Sequence, residues 1–298
     1  MKTSRLIGLV VVLVVVISLL TIWFYPSFQE FMAANTMWNG VRDFAKDFDA
    51  KFIDSVEDLP NSPGKDVLVS IPYKPFSNDD LASIKQFVEN GGTLLLMDDF
   101  GYGNSFLEYI GIEARFDNIL LLDPLFNYKN EYFPRIMDFT SAIKDVGIKV
   151  IGFNHATALS NISPSNALAW SSNMSFLDTN KNGTLDSGEL KGPFVVAATY
   201  PIGTGTIELV SDTSLTINVM IGSNNNAAFV KYLVNLNGIP DSVFLDRSHL
   251  TKSPLDISKI NLTAARGIIS NPYALIGLIA VIFAIIAWYT FKRGLISG

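Results

Sequence analysis

Two groups of residues have the types and spacing to do chemistry. The first is Asp178-Thr179-Asn180-Lys181-Asn182-Gly183-Thr184-Leu185-Asp186-Ser187-Gly188-Glu189, a stretch with oxygen donors at each diagnostic position of a calcium loop. Side-chain oxygens of Asp178, Asn180 and Asn182 would wrap one side of a hard cation, Gly183 makes the sharp turn, and Thr184 offers its carbonyl. Asp186 would act through water, and Glu189 would close the far side with both oxygens. The competing reading is a polar Asn-Gly turn that holds no metal. The flanks are not those of a paired helix-loop-helix hand: Ser171-Ser172-Asn173-Met174-Ser175 is a poor entering helix, and Gly192-Pro193 stops an exiting one. The expectation is therefore a lone structural calcium clip, with affinity near the roughly 10⁻⁴–10⁻³ M of extracellular modules.

The second group is Asp98, Asp99 and Asp212, with Gly101, Gly103 and Asn104 beside the first two. Gly91-Gly92-Thr93-Leu94-Leu95-Leu96-Met97 reads as a buried strand that stops at carboxylates and glycines, and Asp212 ends a second such run. Converging carboxylates could hold a metal or work as an acid/base pair. The alternative is that Asp98 or Asp99 caps the turn through its backbone while Asp212 caps the segment after it.

Other chemistries find less support. Gly101-Tyr102-Gly103 lacks the third glycine of a dinucleotide fingerprint, since Phe106 stands there, and no Walker lysine is present. Without cysteine there is no thiol nucleophile, and Ser105 lacks the second glycine of a serine elbow. His155 and His249, the only histidines, fall in a polar loop and a tether, and both read as surface residues.

The elements that must position these groups alternate helix and strand. Leu81, Ile84, Phe87 and Val88 recur at helical spacing after the Ser77-Asn78-Asp79-Asp80 cap, Gly91 ends that helix, and Asn104 is placed to cap a short helix carrying Phe106, Leu107 and Ile110. Asp66 to Ile71 is a further strand, Phe52-Ile53 opens the sheet, and a helix interrupted at Asn39-Gly40 fits Ser27 to Ala50. Ile119 to Leu122, Lys149 to Phe153 and Ala167 to Ser171 are short strands, with Phe126 to Phe133 a long aromatic loop. Phe194 to Thr199 and Thr206 to Val210 pair as a hairpin through Gly203-Thr204-Gly205, and Asn224 to Leu236 is the last helix of this region. The pattern is an open α/β sheet, whose ligands bind beyond the carboxyl ends of its strands.

Hydropathy sets the boundaries. At 298 residues and 49% hydrophobic, the chain is rich in apolar residues for a soluble protein. Residues 6–25 and 272–291 account for the excess as two membrane-spanning helices, bordered by Trp23, Tyr25, Tyr273, Trp288 and Tyr289. The first is too long in its apolar core, and too poor in a cleavage site, for a secretory signal. Lys2 and Arg5 before it, and Lys292 and Arg293 after the second, put both tails (1–5 and 292–298) in the cytoplasm, although Lys252, Lys259 and Arg266 weaken that bias. Residues 26–245 are then an extracytoplasmic domain and 246–271 a juxtamembrane tether. Setting aside the four tail cations leaves 18 Lys+Arg against 28 Asp+Glu, a net charge of −10, which argues against nucleic-acid binding. Sequons at Asn161, Asn173, Asn182 and Asn261 fit an archaeal surface protein, and each is also a common chance tripeptide.

With these elements in place, Trp38-Asn39-Gly40, the run Gly91 to Asn104, and Val210-Ser211-Asp212-Thr213-Ser214 with Asn218 resemble the prokaryotic family known as domain of unknown function 4350. The resemblance implies a membrane-anchored, flavodoxin-like sheet of the class I glutamine-amidotransferase type in a non-catalytic role. It also implies an accessory or scaffold part in a membrane assembly, with other membrane proteins as partners and a link to MoxR-type ATPases. A solute-binding or sensor domain, and a metal-dependent hydrolase using Asp98, Asp99 and Asp212, are the alternatives.

Overall fold

The computed structural model describes residues 3–292; Lys2 and Arg293, two of the four tail cations, lie outside the described residues. The chain forms two compact units, one of Phe28–Thr251 and one of the terminal segments up to Ser27 and from Lys252.

The Phe28–Thr251 unit is built on a mixed ten-stranded sheet. Five strands run parallel in the order Lys51–Ile53, Val243–Asp246, Val67–Ser70, Thr93–Met97, Gly205–Val210. Beyond Gly205–Val210 the antiparallel strand Val195–Ile202 continues the sheet toward Leu159–Ser160 and Arg115–Phe116. Thr93–Met97 is buried along its whole length because both faces are covered. Leu94 and Leu96 point into a core shared with Leu81, Ile84, Phe87 and Val88 of the Asn78–Glu89 helix. Leu95 and Met97 point into the opposite core with Phe229, Val230 and Leu233 of the Asn226–Val234 helix. Each fully buried side chain of this size contributes about 1.5–3 kcal/mol relative to exposure.

Local signals set several boundaries. Ser77 and Asp80 form a reciprocal capping box at the start of the Asn78–Glu89 helix, and Gly91 at φ +113° turns the chain into the central strand. The hairpin Val195–Ile202/Gly205–Val210 forms as its turn residues predict.

Four expectations need correction. Of the helix expected across Ser27 to Ala50, only Arg42–Asp47 is helical. The Asn35 side chain instead bonds Gln29 O, Asn39 Oδ1 and Met37 N, and a Cβ on Gly40 would lie 1.9 Å from Asn35 O, so the strap before Gly40 is turns. Asn104 does not cap its helix; Gly103 holds that position, and the Asn104 amide pairs with both backbone groups of Phe116. The aromatic loop expected over Phe126 to Phe133 is largely a hairpin of Asn127–Tyr128 with Asn130–Ile136. In the stretch expected as a tether, Asp246 closes a parallel strand, His249 is buried, and Pro254–Ser270 is helical.

In the terminal unit, Leu6–Phe24 within the Thr3–Phe24 helix is long and apolar enough to cross a membrane. Among the described residues it is the one continuous helix that is so. The second expected span differs: Pro254–Gly267 and Pro272–Val281 qualify only as a bent pair. Pro272 has no N–H to continue the ladder and disfavours helical geometry at Asn271, which accounts for the break.

Gly205 marks the tightest approach in the sheet. A Cβ there would lie 2.2 Å from the carbonyl oxygens of both Gly92 and Val88, backbone atoms that cannot swing away. Gly205→Ala is expected to cost about 3 kcal/mol in thermal melting. Thr204→Ala, which removes only an exposed hydroxyl bond to Glu89 O, should cost under about 1 kcal/mol.

Candidate functional site

The carboxyl ends of three adjacent parallel strands open into a crevice of about 590 Å³. Tyr73 follows Val67–Ser70 by way of Ile71-Pro72, Asp99 and Phe100 follow Thr93–Met97, and Thr213 and Ser214 follow Gly205–Val210. Glu30, Phe31 and Trp38 on the strap form one wall, and Phe153, Asn154 and His155 another.

The three acids read from the sequence have different fates. Asp98 is fully buried: Oδ1 accepts from Phe100 N (2.7 Å) and Gly101 N (3.0 Å), and Oδ2 accepts from Gly103 N at 2.6 Å. Burial still pushes its pKa above the usual carboxylate range, against those three donors. Asp212 is also fully buried, with Oδ2 accepting from Asn154 N (2.8 Å) and Oδ1 from Ser214 N (2.6 Å). Burial, then the charge of Asp99, pushes it well up. Asp99 alone of the three lines the crevice. Its Oδ2 accepts from Thr213 Oγ1 at 2.9 Å, while its buried Oδ1 has no partner. Burial raises its pKa to about 7, with Asp98 adding and the Thr213 hydroxyl opposing.

Gly101, Gly103 and Asn104 do not line the crevice either. Gly101 sits at φ +85°, and a Cβ on Gly103 would lie 3.1 Å from Asp98 Oδ2, so both glycines serve the turn around Asp98.

Several crevice residues carry no local sequence signal. Tyr73 donates to Glu30 Oε2 at 3.4 Å, and burial followed by the charges of Glu30 and Asp99 raises its pKa. Its ring lies 5.5 Å from Phe31 and 4.7 Å from Phe100, centroid to centroid. The strap that brings Glu30, Phe31 and Trp38 is held across the fold by Asn218, whose Nδ2 donates to Met37 O (2.6 Å) and whose Oδ1 accepts from Asp43 N. His155 is exposed, as expected, but at the crevice mouth with φ +54°, stacked 5.3 Å from Tyr132, and burial lowers its pKa. His249 departs from the expectation of a surface residue, being 1% exposed. Its Nδ1 faces Asp246 Oδ2 at 2.6 Å and its Nε2 faces Asp80 Oδ2 at 3.3 Å, and Phe76 packs against the ring. Burial opposes it, but hydrogen bonds and the charge of His249 hold Asp246 below the usual range.

The Asp178–Glu189 loop starts at the end of the Phe176–Asp178 strand, without an entering helix. The Asp178 carboxylate accepts from Asn182 N (3.2 Å) and Gly183 N (2.9 Å), Asp186 Oδ2 accepts from the amides of Asn180 and Asn182, and Glu189 Oε1 accepts from Thr179 N. Thr184 donates to Asn182 Oδ1. The donor set is folded on itself as a polar turn, and among the described residues no three His, Cys, Asp or Glu side chains are grouped as a metal would need. A cation would require the two Asn amides to rotate and present oxygen.

A family profile described as Domain of unknown function (DUF4350) matches residues 33–234. No curated protein matches the chain. Among solved structures, the mmIFT52 N-terminal domain is similar at 15% identity over 58% of this chain and 78% of that one, with TM-score 0.45. A ThuA-like protein from Bacteroides uniformis is similar at 9% identity over 63% and 77%, with TM-score 0.36. A beta-galactosidase from Bacillus circulans sp. alkalophilus is similar at 12% identity over 55% of this chain and 23% of its own, with TM-score 0.33.

The raised acids make stability depend on pH. An Asp99 pKa of about 7 in the folded state, against about 3.9 unfolded, means the native state holds the proton more tightly. That contribution is fully present below about pH 4 and is lost as pH rises through about 7; Glu208, raised by burial to about 8, acts in the same sense. Asp99→Asn should melt like the wild type below about pH 4 and higher than it at pH 8, by about 2–4 °C for each kcal/mol of charge burial removed. Identical melting curves at pH 8 would show that Asp99 carries no such cost.

Proposed function

The chain belongs to the domain of unknown function 4350 family, and we propose that it is a non-enzymatic, membrane-anchored recognition domain, acting as an accessory or scaffold subunit of a membrane assembly. One observation carries the reading. Asp98 and Asp212 are committed to backbone N–H groups while an open, aromatic-walled crevice persists beside them. Concave, largely apolar sites with a few placed polar groups suit binding.

A hydrolytic reading has one point in its favour, the near-neutral pKa of Asp99 suited to general acid/base work. Against it, Asp98, Asp99 and Asp212 do not converge on a shared space. The hydroxyl bonded to Asp99, that of Thr213, belongs to a residue only 1% exposed.

The finer points of the proposal rest on chain chemistry for the topology and on the family resemblance for the sheet type and the partners. Leu6–Phe24 is the first anchor and 272–291 the second span, with both termini cytoplasmic, the main domain extracytoplasmic, and an amidotransferase-like sheet as its scaffold. The family resemblance points to other membrane proteins as partners, in a complex linked to a MoxR-type ATPase, and the acidic surface disfavours nucleic acid. The Asp178–Glu189 loop is a structural calcium clip.

Two experiments test this. Crosslinking and pull-down of the intact protein from its membranes should recover it with membrane partners; a lone monomer with hydrolytic activity lost in Asp99→Ala would overturn the reading. Calcium at a few times the roughly 10⁻⁴–10⁻³ M expected of such loops should raise the melting temperature of the full-length protein, and Glu189→Gln should remove most of the shift. Equal melting of both proteins with and without calcium rules out the clip.

A further inference from the structure

The crevice has a charge and a shape that narrow its ligand. Two carboxylates line it, Glu30 on the exposed rim and Asp99 at the base. Asp99 Oδ1 is buried without a partner, although an unpaired acceptor in such a place is costly. Among the described residues, Lys129 is the single lysine of the lining and no arginine joins it, and the Lys129 ammonium lies 5.1 Å over the Tyr128 ring. The rings of Tyr73 and Phe100 line the space at 57° to one another, while Phe31, only 4% exposed, packs behind Tyr73 at 47° to it. They make a faceted corner and not the single flat platform on which a sugar ring stacks. Trp38, 58% exposed, stands at the opening.

A faceted aromatic corner with negative charge behind it attracts organic cations, because ring faces carry negative quadrupole density and a methylated ammonium is weakly hydrated. We infer that the crevice binds a methylated or quaternary ammonium group, seated against Tyr73 and Phe100 below Trp38, with Asp99 and Glu30 as its counter-charges. This rests on the recognition reading above. The strap then has a role beyond packing, since it contributes one ring and one carboxylate to the site. Tyr73 links the two carboxylates, being bonded to Glu30 and raised in pKa by both.

The test is calorimetric titration of the full-length protein in detergent at pH 8, where Asp99 is ionised, and constant ionic strength, with choline, with 3,3-dimethylbutan-1-ol as its neutral carbon isostere, and with glucose. Choline should bind saturably, and the isostere at least about tenfold more weakly, the worth of one cation-ring contact. Asp99→Asn should weaken choline by about tenfold, and Glu30→Gln by several-fold. Glu30 is exposed, so its variant decides the matter if Asp99→Asn fails to fold by circular dichroism. Equal binding of choline and its isostere, or unchanged choline affinity in the folded variants, overturns the inference. If glucose or the isostere binds and choline does not, the inference falls while the recognition reading stands. If none of the three binds, the inference falls, and the recognition reading is decided by the crosslinking and pull-down.

Discussion

The capture of three backbone N–H groups by the Asp98 carboxylate is the interaction on which the site depends. A parallel strand buried on both faces must end by turning its chain out of the core, and its last N–H groups then need acceptors. Asp98 supplies both oxygens to Phe100, Gly101 and Gly103 and so sets the path of the turn. That path puts Asp99 and Phe100 on the crevice side and delivers Phe106 and Leu107 to the core behind. Asp212 does the same one strand over, and its second oxygen reaches Asn154, which ties a distant loop to the strand end.

This arrangement concentrates buried acid at one end of the sheet. Asp98, Asp99 and Asp212 are all raised by burial, and their proximity raises Asp99 and Asp212 further. The fold tolerates them because Asp98 and Asp212 receive charge-assisted hydrogen bonds from backbone, which partly offset desolvation. Asp99 receives one side-chain donor, the Thr213 hydroxyl, on Oδ2, and its Oδ1 has no hydrogen-bond partner. The strain of the site is electrostatic and is shared among the three carboxyl groups. His249 offers a contrast, since Asp246 and Asp80 on either side of it are both net lowered. Burial alone does not set the sign; the partner does.

The calcium-type loop and the crevice are neighbours. Asp178 and Lys181 line a second cavity of about 390 Å³ whose wall also includes Asp99, His155 and Tyr132. The Tyr132 ring stacks on His155, and its hydroxyl would lie 3.1 Å from a Cβ on Gly183. Order in the loop therefore bears on the ring that supports the crevice mouth.

Much of this was legible in the sequence where the cause is local. The capping box at Ser77, the positive φ of Gly91, the hairpin at Gly203-Thr204-Gly205 and the apolar run Thr93–Met97 depend on residues within a few positions of one another. So does the end of the central strand at acids and glycines, which marked the right edge of the sheet. The sequence could not rank the acids, because Asp98 and Asp99 differ only in which side of a turn they face. Nor could it place Glu30, Phe31 and Trp38 over strand ends far along the chain, since that strap is held by Asn218 and not by its own periodicity. His249 is the plainest case: a polar residue in a polar stretch reads as surface. Only the meeting of Asp246, Asp80 and Phe76 around it supplies the partners that make burying an imidazole affordable.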